Sequence, residues 1–202
     1  MTPHLDLVIY AVHVAFWGTF GLARLLSRSG LPGAANAPAP APVAERPRAA
    51  PFARTLLAIH MVAFGVMYFG LGQAVIPDAV PDWFPGQRLV GGLVIAGGAA
   101  LMAWAVVYFR SWRFSAKLDQ GHQLATGGPF RFVRHPIYLG MDLLALGTAL
   151  WVPEVIVWAA LGLMMLGSEL RARAEEKLLE EGFGDAYRSY CGRTRRFIPG
   201  IY

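Results

Sequence analysis

Residues 121–140 hold the densest set of side chains suited to binding a polar ligand. The run Gly-His-Gln-Leu-Ala-Thr-Gly-Gly-Pro-Phe-Arg-Phe-Val-Arg-His-Pro-Ile-Tyr-Leu-Gly sets His122, His135 and Tyr138 between two hydrophobic spans. Gly127-Gly128-Pro129 permits a sharp turn and a close approach of backbone to ligand. Pro136 suits the first position of a helix, where its missing N–H would have had no partner, so a helix is predicted to begin at His135 or Pro136. His135 and Tyr138, three apart, then share one face of its first turn, where free N–H groups favour an anionic group. The competing structural account is a basic interfacial loop with its aromatics at headgroup depth.

A second group follows in Ser168-Glu-Leu-Arg-Ala-Arg-Ala-Glu-Glu-Lys-Leu-Leu179, read as a helix running out of the bilayer as it becomes charged, with Gly182 as its stop. Arg171 and Glu175 lie one turn apart on one face. As an exposed ion pair they would contribute only a few tenths of a kcal/mol. Beside a membrane-embedded ligand site, the same two residues can hold a charged cofactor and orient a substrate.

The elements that must position these groups are apolar. Of 202 residues, 55% are hydrophobic and 15% charged, and the mean hydropathy is +0.43, which excludes an ordinary soluble globule. The formal charge of +5 does not imply nucleic acid, because the basic residues are confined to alternate connecting segments. A single cysteine, Cys191, excludes an intramolecular disulfide framework and a cysteine zinc cluster, and no metal site is expected.

Five spans are predicted, near residues 5–26, 52–76, 88–109, 136–151 and 155–167, the last two forming a helical hairpin across Val152-Pro153-Glu154. This is an all-α polytopic membrane fold with a C-terminal cytosolic helical segment. Residues 1–26 form the first transmembrane helix, retained rather than cleaved. Residues 27–51 are an Ala/Pro-rich cytosolic linker, and 52–202 are a core whose ligand-binding segments are 121–140 and 169–202. His13 is expected to be a packed or hydrogen-bonded side chain, and His60 and Gln73 to pack or to line a cavity. Gly92, Ala96 and Ala100 predict a smooth face on the third helix. Trp104, Tyr108 and Trp112 form a pocket rim or an interfacial belt. Basic segments 24–54, 110–134 and the C-terminal region fall on one side of the five spans, and Asp6, Asp78, Asp82 and Glu154 on the other. That asymmetry predicts the N-terminus outside and the C-terminus in the cytosol, which in a bacterium means the inner membrane.

The motif His122-Gln-Leu-Ala-Thr126, Gly128-Pro-Phe-Arg131, Arg134-His-Pro-Ile-Tyr138-Leu-Gly140, followed by Arg171-Ala-Arg-Ala-Glu-Glu176 and Phe183-Gly-Asp-Ala-Tyr187, resembles the isoprenylcysteine carboxyl methyltransferase family. These are integral-membrane enzymes related to phospholipid methyltransferases. The likeness spans roughly the C-terminal two-fifths of the chain; earlier residues match only as hydrophobic spans. It implies methyl transfer from S-adenosylmethionine to a lipophilic acceptor at the cytosolic interface, among membrane lipids. It also implies cofactor contacts from His122, Gln123, Leu124, Ala125, Phe130, His135, Pro136, Tyr138 and Glu175. Arg171 falls on the acceptor position, and Arg171 and Glu175 are the residues expected to act in catalysis. His135 and Tyr138 would orient the amino-acid or ribose part, Phe130 would pack on the adenine, and Glu175 would accept from hydroxyl or ammonium groups. Phe130 stands where the family usually has tyrosine, losing a hydroxyl. The acceptor stays open between a prenylcysteine-like carboxylate, a small thiol and a lipid.

Two other functions compete. The ending Tyr187-Arg-Ser-Tyr190 to Arg195-Arg196-Phe-Ile-Pro199 is similar to the tail of membrane sterol reductases, which implies NADPH, with Arg195 and Arg196 on a 2′-phosphate. A non-catalytic membrane scaffold is the third possibility.

Overall fold

The computed structural model describes residues 4–28, 48–49, 53–74, 83–109, 117–118 and 124–202. Six α-helices dominate them: α1 (His4–Arg28), α2 (Ala53–Ala74), α3 (Gln87–Tyr108), α4 (Pro136–Trp151), α5 (Val155–Phe183) and α6 (Asp185–Arg193). Helices α1, α2, α3 and α5 are each long and apolar enough to cross a membrane, and α4 is a shorter apolar helix. The protein is thus an α-helical polytopic membrane protein, and α4 and α5 form the expected hairpin. Residues 48–49 pair antiparallel with 117–118. Most of the 27–51 linker, residues 77–82 and Trp112 lie outside the described residues.

Helix α5 sets the geometry of everything downstream. Its 29 residues extend about 43 Å, well past a hydrocarbon layer of about 30 Å, so a single rigid rod joins the apolar bundle to the charged segment from Glu169 onward. It ends at Phe183, two residues beyond the expected boundary before Gly182. Gly184 takes φ 51°, in the left-handed region that side chains resist, whereas Gly182 stays helical.

Helices α3 and α4 pack through paired glycines. A Cβ on Gly91 would stand 2.6 Å from the Gly147 carbonyl oxygen, and one on Gly98 would stand 2.8 Å from that of Gly140. Such spacing brings two backbones together as membrane helices do where only small residues intervene. The face differs from the one expected. Ala96 and Ala100 are exposed, and the buried stripe is Gly91, Ile95, Gly98, Met102 and Ala105. A strict four-residue step drifts around a helix of 3.6 residues per turn, while alternating steps of four and three hold one side.

Helix α1 joins the same core through Ile9, Phe16 and Phe20. His13, as expected, is a satisfied side chain: Nδ1 lies 3.0 Å from the Tyr68 hydroxyl and Nε2 2.9 Å from Thr148 Oγ1. Gln73 is exposed. Gln87, which the sequence pattern did not single out, is buried and donates to the Leu150 carbonyl at 2.6 Å, locking the N-terminal end of α3 to α4.

Candidate active site

The glycine turn is built by aromatic packing. Residues Gly128–Arg131 form a single 3₁₀ turn, with Gly128 at φ 56°. Tyr108 covers both glycines: a Cβ on Gly127 would collide with its hydroxyl, and one on Gly128 would stand 2.5 Å from its ring. Phe130 is buried against Tyr108 and Phe109, with ring centroids 6.2 and 5.6 Å away. Its carbonyl accepts a 2.6 Å bond from the Tyr190 hydroxyl of α6. Burial pushes the Tyr190 phenol up, which keeps that donor protonated. Leu124 and Ala125 are half-buried against the same core. His122 and Gln123 lie outside the described residues.

From this turn the chain enters α4 at Pro136, with His135 as its N-cap. Residues 194–197 run alongside: the Arg134 N–H donates to the Arg195 carbonyl at 2.7 Å, and that of His135 to Arg196 at 3.2 Å. The backbone of His135 is therefore fixed by a segment 60 residues away. Its ring lies parallel to that of Tyr138, 5.5 Å apart, so the two expected neighbours do share a face.

That face meets α5. The Tyr138 hydroxyl donates to Glu175 in a short hydrogen bond. His135 Nδ1 lies 3.7 Å from Glu175 Oε2 and its Nε2 3.2 Å from Glu176 Oε1. The Arg171 guanidinium stands 4.8 Å over the Tyr138 ring and 4.0 Å from Glu175. His135, Pro136, Tyr138 and Arg171 are buried, and Glu175 retains some exposure. The structure thus gathers His135, Tyr138, Arg171 and Glu175 in one cluster. It places Phe130 in the neighbouring aromatic nest against Tyr108 and Phe109.

Glu176 does a different job from its neighbour. It accepts from Arg134 Nε at 2.8 Å and from Arg196 Nε and Nη2 at 3.1 and 2.6 Å. Arg134 also donates to the Thr194 carbonyl, and Arg196 to Glu169 and the Tyr202 hydroxyl. Burial alone would lower the Arg134 pKa, but its bond to Glu176 outweighs that and the net shift is upward. The bond to Glu176 also raises Arg196. Both guanidiniums are thus committed charges that clasp α5 to residues 134–135 and 194–202. Sequence reasoning placed Arg196 on a possible phosphate and missed this clasp, since the partners are 20 and 42 residues apart. On the α6 side of Glu176 opens a cleft of about 700 Å³, lined by Arg173, Lys177, Glu180, Tyr187 and Arg196 among others.

A carboxylate and an aromatic face that already hold one cation, the Arg171 guanidinium, are a donor set suited to a sulfonium or an ammonium. Among the described residues no group of three or more His, Cys, Asp or Glu side chains is arranged to hold a metal ion.

Comparison with known proteins points to methyl transfer. The phospholipid methyltransferase family matches residues 87–186. The protein-S-isoprenylcysteine O-methyltransferase of Schizosaccharomyces pombe is 32% identical over 88 residues, which cover 43% of this chain and 37% of that protein. A probable protein-S-isoprenylcysteine O-methyltransferase of Oryza sativa subsp. indica, and its counterpart in subsp. japonica, are 28% identical over 131 residues, covering 63% of this chain and 68% of each. The matched segment, just under half of the chain, carries α3, the glycine turn, α4 and all of α5, and it is similar to the phospholipid methyltransferase family.

Proposed function

We propose that this chain transfers a methyl group from S-adenosylmethionine to a lipophilic acceptor at the cytosolic edge of the membrane. The observation that carries this is the His135–Tyr138–Arg171–Glu175 cluster, set where α5 passes from apolar to charged sequence. A polar cofactor and an apolar acceptor can meet only at such a boundary. When bound, S-adenosylmethionine supplies a methyl group made electrophilic by its sulfonium.

The residues themselves bind, orient and exclude water. Glu175 offers a carboxylate to a cationic or hydroxyl-bearing ligand, with Tyr138 fixing its position. His135 and Tyr138 provide parallel ring faces for a polar ligand, and the turn at Gly127 and Gly128 is held in place beneath Tyr108. Arg171 would align an acceptor through its guanidinium. Packing of Phe130 beneath Tyr108 and Phe109 keeps the turn dry, which strengthens every charge interaction nearby. The acceptor must then approach the methyl in line, within about 3 to 3.5 Å. The basic segments belong on the cytosolic side in this proposal, with the N-terminus outside, residues 27–51 as a linker and 52–202 as the core.

Engagement of Arg196 by two carboxylates speaks against an NADPH site there, because a 2′-phosphate would have to displace Glu176 and Glu169. Isothermal calorimetry of the detergent-purified protein with S-adenosylmethionine, S-adenosylhomocysteine and NADPH tests the proposal. Binding of the first two is expected. Preference for NADPH, or no binding at all, would overturn it.

A further inference from the structure

The cleft between α5 and α6 is separate from the site described above. A helix turns about 100° per residue, so Arg173, Glu176, Lys177 and Glu180 fall within about a third of the circumference of α5, and Arg171 and Glu175 lie on the side opposite them. That stripe forms one wall of the cleft, and Tyr187 and Cys191 of α6 face it. A volume of about 700 Å³ falls within the range of small-molecule sites.

Four cations and two carboxylates line this cleft, and the carboxylates are already matched. Glu176 is met by Arg134 and Arg196, and Glu180 by Arg188 at 3.3 Å. Glu169 and Asp185, just outside, are met by Arg173 and Arg188. Lys177 pairs with no carboxylate among the described residues. It stands one turn from Arg173, and like charges at that spacing repel unless an anion lies between them.

Across the cleft, the Tyr187 side chain is 3% exposed, and its hydroxyl has no hydrogen-bond partner among the described residues. The Cys191 thiol beside it is only a weak acceptor. Burial, with the Glu176 charge nearby, pushes the phenol well above its ordinary value, so the hydroxyl stays a donor. A buried O–H without an acceptor is costly. The unpartnered donor and the two like charges call for the same complement, oxygen atoms carrying negative charge.

We propose that this cleft is a second ligand site, taking the phosphoryl group of a phosphate ester between Arg173, Lys177 and the Tyr187 hydroxyl. A guanidinium, an ammonium and a phenol together suit the several oxygens of a tetrahedral phosphoryl group. The proposal stands apart from the methyl-transfer reading, since its donors on α5 lie on the other side of that helix. Arg173 is four residues beyond Glu169, about 6 Å along the helix, which is headgroup depth. The ester can therefore be presented by a lipid or arrive from solution.

Cys191 is the single thiol of the chain and lines the cleft, so its rate of alkylation by N-ethylmaleimide reports occupancy there. The full chain in dodecyl maltoside is titrated with glycerol 3-phosphate at constant ionic strength, or with dioleoylphosphatidate against dioleoylglycerol, which lacks the phosphate. Slower alkylation with a phosphate ester is expected, and the ester that protects identifies the source. Lys177→Gln should raise the concentration needed for protection by about 10- to 100-fold, the scale of a charge-assisted hydrogen bond, with the circular dichroism unchanged. No protection by either ester, equal protection by dioleoylglycerol, or protection that Lys177→Gln leaves unchanged overturns the proposal. Tyr187→Phe supplies a measurement without ligand. Having lost only an unpartnered hydroxyl, it should melt at or above wild type. A lower melting temperature would show that the hydroxyl is partnered within the protein, and that also overturns the proposal.

Discussion

Glu175 and Glu176 are adjacent carboxylates with opposite expected sensitivities. Glu176 receives Arg134 at 2.8 Å, Arg196 at 2.6 and 3.1 Å and His135 at 3.2 Å, and the side chains of Arg134, Glu176 and Arg196 are 13–17% exposed. Breaking a buried ion pair from one side costs roughly 3–5 kcal/mol because the other charge is stranded. Arg134 keeps Thr194 and Arg196 keeps Glu169, so Glu176→Gln belongs at the low end, about 3 kcal/mol. For a chain of this size that is a melting-temperature loss of roughly 6–12 °C. Glu175 is 23% exposed and its charged contacts are 3.7 and 4.0 Å, while an amide would still accept from Tyr138. Glu175→Gln should therefore cost no more than about 1 kcal/mol of stability. Its effect should fall on ligand binding instead. A charge-assisted hydrogen bond is worth roughly 1.5–3 kcal/mol, which weakens S-adenosylmethionine by about 10- to 100-fold. Thermal denaturation in detergent followed by circular dichroism, paired with calorimetry on the same preparations, reads both effects. Equal melting losses in the two variants, or a Glu176→Gln protein as stable as wild type, would refute the division of labour.

Gly147→Ala would set a Cβ 2.5 Å from the Gly91 carbonyl oxygen and 2.6 Å from the Ile95 side chain; the Gly91 backbone cannot yield, so a loss of about 1–3 kcal/mol is expected by thermal denaturation. Gly127→Ala should destabilise because its methyl meets the Tyr108 hydroxyl, and Tyr108→Phe should restore part of that loss in a double-mutant cycle. Tyr190→Phe removes the 2.6 Å donor to the Phe130 carbonyl, leaving a buried acceptor unpaired at a cost of about 1–3 kcal/mol; proteolysis of the glycine turn should quicken in that variant.

Elements were legible where one stretch of sequence decides them. The runs behind α1 to α4, and behind α5 as far as Ser168, are predominantly apolar, and Pro136 fixes the start of α4 without outside help. Packing registers were less so. Gly92, Ala96 and Ala100 make as good a pattern as Gly91 and Gly98 until a partner chooses between them, and Gly140 and Gly147 on α4 make that choice. The end of α5 was misplaced for a similar reason: both Gly182 and Gly184 can stop a helix, and what separates them is which one takes the positive φ.

The site divides along the same line. His135 and Tyr138 share a face by helical spacing alone, and so do Arg171 and Glu175, so each pair could be proposed before any fold was known. That the two pairs belong together could not, because an Arg and a Glu one turn apart are also what a solvated helix surface looks like. The Tyr138 hydroxyl resolves it: by donating to Glu175 it turns the carboxylate inward and takes it out of the class of surface pairs. Asp142, Ser168 and Gln87 were passed over for the complementary reason. Each is a single polar residue in an apolar run, and its meaning depends on a partner on another helix, Ser168 for Asp142, His60 for Ser168 and the Leu150 carbonyl for Gln87. In a membrane bundle such residues are costly when alone and tolerable when joined, so an isolated polar residue in a span signals that a partner exists but gives no hint of where in the chain it is.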